Sequence, residues 1–546
     1  MTTVNNRSNR RAQLSPERQA LLAKLKRGAL ATAAPTIPRR TADGPIPLSF
    51  AQQRLWFLDQ LAPGSANYNM PMLLILTGKL DVAALERSIN EVVRRNEILR
   101  TTFVTVDGQP QQVIQSAAAH PEGTRLLIVD LQLLPEAERT EQMTQTALAA
   151  AQQPFDLTRD CPFRALLIRL AEAEHMLVLI SHHIVLDGSQ ALLMQELQTL
   201  YNAYVAGTTP QLPALPIQYA DFADWQRKWL QSDRVQVELD YWKQQLAPNG
   251  SGDLAPLDLP IARPRPPAQT FNGAKQKFKF SQAFADKVKA LSEQEDATLF
   301  MTLLAGFQCV LSRYTGQSKI TVGTPVAQRS QPEIERMLGC FINTVVMRTD
   351  LAGNPSFREV LQRVRQVTLG AFNHQQVPIE MVVESLQLER DASRNPLYQV
   401  MFVLQQLSGN MLEFSGLEAR PFNVDTATAR LDLLLYLETS ADGLVGFLEY
   451  NTDLFESASI VRLLRHFETL MLAAVDNPER RLWDLPLLPE ADREQTLAAW
   501  NDTRADYERM ACMHQLFERQ AERTPDATAV IFDTAQLSYR ELNEEA

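Results

Sequence analysis

A proline-rich stretch between Pro248 and Gly273 limits the folds that this chain can adopt. Five further prolines and several glycines fall inside it. Proline fixes the backbone angle φ and has no amide hydrogen to donate, so the stretch cannot form a helix or a central strand. With 546 residues, the chain is also too long for one ordinary core. We therefore predict an extended connector over residues 247–273 that joins two lobes, at 44–246 and 274–485.

Both lobes are predicted to mix helices and strands, which gives an α/β (α+β) fold class. Apolar residues at three- and four-residue spacing indicate helices, and short apolar runs indicate buried strands. In the first lobe the predicted elements are a helix over Ala83–Arg94, a strand over Met176–Ser181 and a helix over Gln190–Tyr204. In the second lobe they are helices over Ala283–Glu293, Phe357–Phe372 and Ala458–Val475, and strands over Lys319–Val322, Thr344–Thr349 and Val400–Val403.

The two ends of the chain differ from the lobes in composition. Residues 1–43 are predicted to be a polar tail with one short helix that begins near Ser15, and this tail either is solvated or contacts an upstream protein. Residues 486–510 are predicted to be a linker. Residues 511–546 become globular in composition again but are too few for a core, so we expect them to begin a further domain.

Charge and cysteine usage disfavour several classes of function. The net charge of -11 argues against a nucleic-acid partner, because phosphate binding needs an excess of Lys and Arg. The four cysteines lie far apart and form no zinc-binding pattern, which is typical of a reduced, cytoplasmic protein without a metal site. The N-terminus lacks the apolar stretch of a secretory signal, and no apolar run approaches the roughly 20 residues of a membrane helix. We therefore expect no membrane partner.

The segment Ser181–Gly188 holds the residues best suited to chemistry. A predicted buried strand brings His182 and His183 to its end, and Asp187 follows four residues later. A neutral imidazole can take a proton near pH 7, the carboxylate can orient that ring or pair with an arginine, and the glycine leaves room for a substrate. On the residues alone, His182 is better explained as structural, and His183 stays open between a structural and a catalytic role. A metal site is disfavoured, because only Asp187 offers a further ligand nearby.

The sequence HHIVLDG in this segment resembles the HHxxxDG signature of the condensation domains of nonribosomal peptide synthetases. Seven other stretches resemble the remaining motifs of that family in the same order: LSFAQQRLWFLDQL (48–61), VVRRNEILRTTF (92–103), IQYADFADWQ (217–226), VGTPVAQR (322–329), LGCFINTVVMR (338–348), HQQVPIEMVVESL (374–386) and RDASRNPLYQVMF (390–402). The resemblance covers about residues 44–485. It implies two lobes that are each similar to chloramphenicol acetyltransferase and that form a V with a central tunnel.

The resemblance also implies the reaction, which is amide bond formation between two thioester-bound substrates that enter the tunnel from opposite ends. It places the histidine pair, His182 and His183, at the catalytic centre. His183 is expected to receive or to position the proton of the attacking amine, and these two roles stay open. Gly188 and Ser189 are expected to line the tunnel.

Asp187 is expected to act mainly on structure, through an ion pair with an arginine. Arg329 is the preferred partner, and Arg54 and Arg348 are the alternatives. Asn343 is expected either to face the tunnel or to form hydrogen bonds in the core.

Five positions depart from the family pattern. Asn96 stands where the second motif usually has histidine, and Leu186 stands where a small polar residue is usual. Ser189 and Gln190 replace the usual Trp-Ser pair, and Gln328 replaces a glycine. Because positions 186, 189 and 190 lie beside the expected active centre, we expect them to alter substrate preference and, to a smaller extent, activity.

The resemblance implies that this chain binds no cofactor of its own. Both substrates would be held on the 4'-phosphopantetheine arms of separate donor and acceptor peptidyl carrier domains. The stretches 513–530 and 537–546 resemble the opening of an adenylation domain, so a downstream adenylation domain is the third expected partner. A chain cut there cannot activate an amino acid by itself.

The opening motif with Tyr68-Asn69-Met70-Pro71 is most similar to the subtype that joins an L-configured donor to an L-amino acid. Because Met1 lies close to the first lobe, the donor is expected to arrive on another protein, or to be a fatty acyl group that starts a lipopeptide. Two other interpretations compete with this one. The first is an inactive condensation-like module that recruits a partner enzyme. The second is a standalone acyltransferase that uses coenzyme A thioesters, which the adenylation-like end of the chain disfavours.

Overall fold

The computed structural model describes residues 37–40, 44–116, 125–247, 249–250, 254–329, 331–388, 391–406, 413–441, 443–505 and 511–546. The short helix expected near Ser15 lies outside these residues. The chain divides into two compact units, one that ends at Leu487 and one over Leu488–Ala546. Both predicted lobes belong to the first unit.

Helices and strands alternate through the first half of the larger unit. In chain order they are β1 (Ile46–Pro47), α1 (Phe50–Leu61), β2 (Asn69–Gly78), α2 (Val82–Arg95), β3 (Thr101–Val106), β4 (Gln109–Ile114), β5 (Leu127–Asp130), α3 (Glu136–Gln152), β6 (Phe163–Ala171), β7 (Glu174–His182), α4 (Gln190–Val205), α5 (Tyr219–Trp229) and α6 (Arg234–Leu246). The strand and the two helices expected here are present, each with slightly longer bounds.

The second half repeats this alternation. Its elements are β8 (Gly273–Phe280), α7 (Gln282–Gln294), α8 (Leu299–Thr315), β9 (Lys319–Ala327), β10 (Ile342–Asp350), α9 (Phe357–Asn373), α10 (Ile379–Leu386), β11 (Val400–Gln406), β12 (Leu417–Phe422), β13 (Leu433–Ser440), β14 (Gly443–Asn451) and α11 (Ser457–Asp476). All six elements expected in this lobe are present. The mixed α/β class is therefore confirmed.

Each lobe is built on one main sheet. The five strands of the first-lobe sheet have the order β12-β2-β7-β6-β5, and the six strands of the second-lobe sheet have the order β10-β9-β11-β13-β14-β8. Two separate clusters of buried apolar residues lie against these sheets, one for each lobe. Helix α8 is central to the second cluster. It begins where the Thr298 side chain accepts a hydrogen bond from Met301, and it ends at Gly316, which adopts the left-handed conformation.

The lobes exchange segments. Strand β12 comes from the second half of the chain but pairs antiparallel with β2 at the edge of the first-lobe sheet. Phe341 and its neighbours between β9 and β10 pack into the first-lobe core, while Trp242 and Leu246 of α6 pack into the second-lobe core. The boundaries of the cores therefore differ from the boundaries along the sequence, and the two lobes stabilise each other.

The proline-rich connector runs as an extended segment along the second lobe. Leu257 and Leu259 are buried in the second-lobe core. Arg265 forms an ion pair with Asp432, just before β13, and both side chains are largely buried. These contacts fix the connector on the lobe that it leads into.

The smaller unit contains a helix α12 (Glu490–Leu497), a helix α13 (Met513–Arg523), a hairpin of β15 (Thr528–Phe532) and β16 (Ala535–Ser538), and a helix α14 (Tyr539–Glu545). The ring of Phe517 on α13 packs 5.8 Å from the ring of Tyr539 on α14. Most of its apolar side chains remain exposed, among them Ile531 and Phe532 of the hairpin. This small hydrophobic contact area is what we expected of residues too few for a core.

Candidate active site

Strand β7 delivers the two histidines to the boundary between the lobes. Its residues from His175 to His182 are buried, and His182 lies opposite Asn69 of β2 in the antiparallel ladder. The backbone nitrogen of His183 then donates to the carbonyl of Tyr68 at 2.8 Å. Because side chains alternate along an extended chain, the two adjacent rings lie in different surroundings.

His182 lies inside the first lobe. It is 2% exposed and lies between the rings of Tyr68 and Phe155, each with its centroid 6.3 Å away. Its Nδ1 accepts a hydrogen bond from the backbone nitrogen of Ile184 at 3.1 Å. Burial is the main cause that lowers the pKa of His182 to about 3, and His183 and Arg430 lower it further, so the ring is neutral. These surroundings suit a structural residue better than the catalytic role that the family signature implies.

His183 faces the second lobe and is only partly buried. Its Nδ1 lies 3.9 Å from the Sγ of Cys340. Burial of the ring is the main cause that lowers the pKa of His183 to about 3, Arg430 and Arg54 lower it further, and hydrogen bonding to backbone carbonyls opposes the change. The imidazole is therefore neutral at pH 7, with one nitrogen free to accept a proton.

The carboxylate of Asp187 binds three groups around the loop that follows His183. Oδ1 accepts from the backbone nitrogen of Ser189 at 2.8 Å, and it lies 3.3 Å from Nη2 of Arg329. Oδ2 accepts from the backbone nitrogen of Phe341 at 2.7 Å. Both oxygens are thus used on the loop and on the second lobe, and the carboxylate holds the backbone in place instead of orienting the imidazole.

Arg329 is the arginine that the structure places beside Asp187. Its Nη1 also donates to the carbonyls of Ile334 and Met337, each at 2.8 Å. The two alternative partners lie elsewhere. Nη1 of Arg54 lies 3.2 Å from Oε1 of Glu380, across the lobe boundary. Arg348 lies at the far end of β10, where its carbonyl accepts from Gln245.

Gly188 is exposed, and a Cβ atom built on it would meet no other atom within 4 Å. The space beside the histidine motif is therefore open at this residue. Ser189 is 2% exposed, and its Oγ donates to the carbonyl of Gly339 at 3.3 Å. The expectation that Ser189 lines a tunnel is wrong, because its side chain joins the two lobes inside the core.

Asn343 forms hydrogen bonds in the core, which is one of its two expected roles. Its Nδ2 donates to the carbonyls of Gln375 and Val377 at 2.9 and 2.8 Å. Its Oδ1 accepts from the backbone nitrogen of Ile379 at 3.1 Å. The amide therefore holds the backbone of this loop. Asn343 also lines the small cavity that Cys340 lines, so its expected role at the tunnel stays a prediction.

Tyr219 is a buried contributor to the site that the sequence did not single out. Its Oη donates to the carbonyl of Cys340 at 2.6 Å and lies 2.8 Å from Oγ of Ser49. Ser49 is the residue whose side chain begins α1, so one hydroxyl joins α1, α5 and the segment beside His183. A Cβ atom at Gly339 would collide with the Tyr219 ring, which explains the glycine. The motif around Tyr219 was visible in the sequence, but its contacts were not.

The other departures from the family pattern have structural explanations. Asn96 donates to Oε2 of Glu196 at 2.9 Å, and Arg95 donates to the other oxygen of that carboxylate, so the three residues join α2 to α4. Leu186 is fully buried in the first-lobe core. Gln190 is the first residue of α4, and its backbone nitrogen donates to the carbonyl of Asp187.

Two further features of the described residues bear on function. Among those residues, no helix combines the length and the apolar character needed to cross a membrane. The same part of the chain contains no group of three or more His, Cys, Asp or Glu side chains arranged to hold a metal ion. All four cysteines are described, and none of them forms a disulfide bond.

Comparison with known proteins gives a consistent result. A family model described as Condensation domain matches residues 42–497. One of the linear gramicidin synthase proteins of Brevibacillus parabrevis is 44% identical over 514 residues, which are 93% of this chain and 6% of that protein. Chondramide synthase of Chondromyces crocatus is 42% identical over 518 residues, which are 94% of this chain and 13% of that protein. The chain therefore spans only a small part of the length of these relatives.

Among solved structures, a chain in the complex of the X-domain and OxyB from teicoplanin biosynthesis has a TM-score of 0.75 and 29% sequence identity. The match covers 84% of this chain and 99% of that chain. The similarity includes both lobes, since neither lobe alone makes up that share of the sequence.

Proposed function

This chain belongs to the condensation domain family, and from that premise we propose that it forms an amide bond between two carrier-bound substrates. The donor is an acyl or peptidyl thioester, and the acceptor is an aminoacyl thioester whose amine is free. The observation that carries the proposal is the neutral ring of His183. It lies at the lobe boundary, five residues before the exposed Gly188, and Asp187 and Arg329 hold the loop between them in place.

The proposed reaction proceeds in one addition and one elimination. The amine nitrogen attacks the donor carbonyl carbon, a C–N bond forms, and the carbonyl oxygen becomes an oxyanion. The oxyanion then collapses and the C–S bond breaks, so the donor carrier leaves as a thiolate. His183 receives the amine proton, or positions the amine, and the proton is finally taken by the thiolate. The donor chain is thereby transferred to the acceptor.

Positioning is expected to contribute more to the rate than proton transfer. Holding two reactants in line can supply about 7–11 kcal/mol of the barrier. One acid–base group typically adds about 10²–10⁴-fold, which is about 3–5 kcal/mol. This difference explains why so much of the buried structure around His183 serves to fix backbone positions, as Asp187, Arg329 and Tyr219 do.

We further propose the partners that this reaction requires. Donor and acceptor peptidyl carrier domains would present their substrates on 4'-phosphopantetheine arms, and the chain itself would bind no cofactor. The L-donor, L-acceptor subtype is supported by the opening motif, which includes the Tyr68 that lies beside both histidines. The helices and hairpin over residues 511–546 are proposed to begin an adenylation domain. Four cysteines that form no disulfide bond support a reduced, cytoplasmic setting.

A second candidate is a module that recruits a partner enzyme without catalysis. The similarity to a chain in the complex of the X-domain and OxyB raises this possibility. The geometry around His183 and Asp187 favours catalysis, because a module that only recruits has no need for a neutral imidazole beside open space.

The test is a reconstituted condensation. One carrier domain is loaded with an acyl or aminoacyl donor and another with an L-aminoacyl acceptor, and the carrier-bound product is followed by intact-protein mass spectrometry. We expect product with the parent chain and at least about a hundredfold less with His183→Ala. His514→Ala, at an exposed histidine, serves as the matched control and should leave the rate unchanged. If folded parent protein gave no product from several donors and acceptors, the recruiting module would replace this proposal.

A further inference from the structure

Gln328 forms part of the wall beside the catalytic histidine. Its backbone nitrogen, just after β9, donates to the carbonyl of Phe341 at 3.0 Å. Its side-chain Nε2 donates to the carbonyls of Gln375 and Gln376 at 2.7 and 3.1 Å. Gln328 is therefore held both at its backbone and at the end of its side chain. The side chain cannot move aside without loss of the two hydrogen bonds from Nε2.

A small cavity lies against this wall. Gln328 lines it together with Arg54, Cys340 and Glu380, and its volume is about 10 Å³. Such a volume holds about one water molecule. Because Cys340 is also the residue whose Sγ lies 3.9 Å from the His183 ring, the cavity adjoins the proposed reaction centre.

The wall is fixed from a second side. Asn343 makes three more hydrogen bonds to the same loop, to Gln375, Val377 and Ile379. Ile379 begins α10, whose second residue is Glu380. A glycine at position 328, as the resemblance implies for the family, would remove the two hydrogen bonds from Nε2 to this loop and would leave more open space beside the cavity.

We propose that Gln328 determines acceptor specificity, by narrowing the space beside His183 so that an aminoacyl group with a small side chain, such as glycyl or alanyl, is preferred. The inference rests on the proposed amide-forming function. The narrow space is assigned to the acceptor because the acceptor is a single aminoacyl group. The cavity holds about one water molecule, which is room for a small side chain such as a methyl group but not for the acyl or peptidyl chain of a donor. Large side chains are excluded because a packed wall accommodates added atoms poorly.

The experiment measures kcat/KM for glycyl, alanyl, valyl and phenylalanyl acceptors, each loaded on the same carrier domain and offered with the same donor. The parent chain is expected to prefer the glycyl and alanyl acceptors over the phenylalanyl acceptor by about tenfold or more. Gln328→Ala and Gln328→Gly are both expected to raise the phenylalanyl rate by about tenfold, while the glycyl rate changes by less than about threefold. If only Gln328→Gly raised the phenylalanyl rate, the effect would come from backbone freedom, and the proposal would be overturned.

Gln317→Ala is the matched control. Gln317 also joins two backbone groups through its amide, the nitrogen of Asp258 and the carbonyl of Pro256, but none of these three residues lines the cavity. This variant should keep the preference of the parent chain, and melting temperatures report whether each variant is folded. If Gln328→Ala showed the same relative rates for the four acceptors as the parent chain, the inference would be overturned and the proposed function would remain intact. Absence of product from every acceptor would overturn both.

Discussion

The carboxylate oxygen Oδ2 of Asp187 lies 2.7 Å from the backbone nitrogen of Phe341, although 154 residues separate the two along the chain. The contact joins the loop after the catalytic histidine to the segment between β9 and β10. It is also buried, since Asp187 is 3% exposed and Phe341 is 1% exposed. With the Arg329–Asp187 ion pair and the Tyr219–Cys340 hydrogen bond, this contact fixes the two lobes against each other where the substrates are expected to meet.

Asp187→Ala is expected to lower stability and activity together. The change leaves Arg329 without its anionic partner and leaves two backbone N–H groups unpaired, and loss of one member of a buried pair costs about 3–5 kcal/mol. His183→Ala removes a partly exposed ring whose side chain bears little of this network, so its melting temperature should stay close to that of the parent. Thermal unfolding of both variants checks the difference. Equal melting temperatures would show that Asp187 and His183 do not divide their roles in this way.

Gly188→Ala should reduce activity without loss of stability. The fold has room for the added methyl group, because a Cβ atom at this position meets nothing within 4 Å. A substrate that approaches the backbone here would meet that methyl group, and we expect a loss of about tenfold or more in kcat/KM. Gly44→Ala is the matched control, since Gly44 also has open space and lies outside the histidine motif. A fully active Gly188→Ala variant would exclude close substrate approach at this residue.

His182 is expected to make stability depend on pH. Its pKa is about 3 in the folded chain and about 6.5 when unfolded, so the unfolded state binds more protons between these values. Stability therefore falls as the pH decreases below about 6.5, and the loss attributable to His182 at pH 5 is about 2 kcal/mol. Urea unfolding at pH 7 and at pH 5 gives the free energy of unfolding at each pH, and the difference measures this loss.

His182→Asn provides the comparison for that measurement. Asparagine has an acceptor that can replace Nδ1 for the Ile184 nitrogen, but it does not titrate. The variant should therefore lose less stability than the parent chain when the pH is lowered from 7 to 5. The same pH dependence in both proteins would assign the effect to other groups.

The sequence was sufficient to predict the histidine motif, the α/β class and the strands and helices with clear apolar periodicity. It also placed Arg329 first among the partners of Asp187, and the structure shows that pair. It could not predict the contacts of Tyr219 with Ser49 and Cys340, because these depend on packing between segments more than 100 residues apart. For the same reason β12 could not be assigned to the first-lobe sheet, since its own six residues carry no information about the edge they join.

Arg430 offers a way to test whether the reaction needs an unprotonated nitrogen on His183. The guanidinium lies 4.9 Å from the centre of the Tyr68 ring and donates to the carbonyl of Asn67 at 3.0 Å. After burial, its charge is the largest cause that lowers the pKa of His183. Arg430→Gln removes that charge, so the pKa of His183 should rise, while burial of the ring, which is the larger cause, still holds it below its ordinary value. A larger share of the imidazole would then be protonated in mildly acidic solution, and a protonated ring cannot accept the amine proton.

The measurement is the condensation rate of Arg430→Gln divided by that of the parent chain, from pH 8 to pH 5. The acceptor amine also becomes protonated in this range, but it does so equally for both proteins and cancels in the ratio. If the reaction needs the unprotonated ring of His183, the ratio is constant at high pH and falls at the acidic end of the range. Arg430→Lys keeps the charge and should give a constant ratio throughout. A constant ratio for Arg430→Gln as well would mean that protonation of His183 does not limit the rate between pH 8 and pH 5, and the requirement for an unprotonated ring would be rejected.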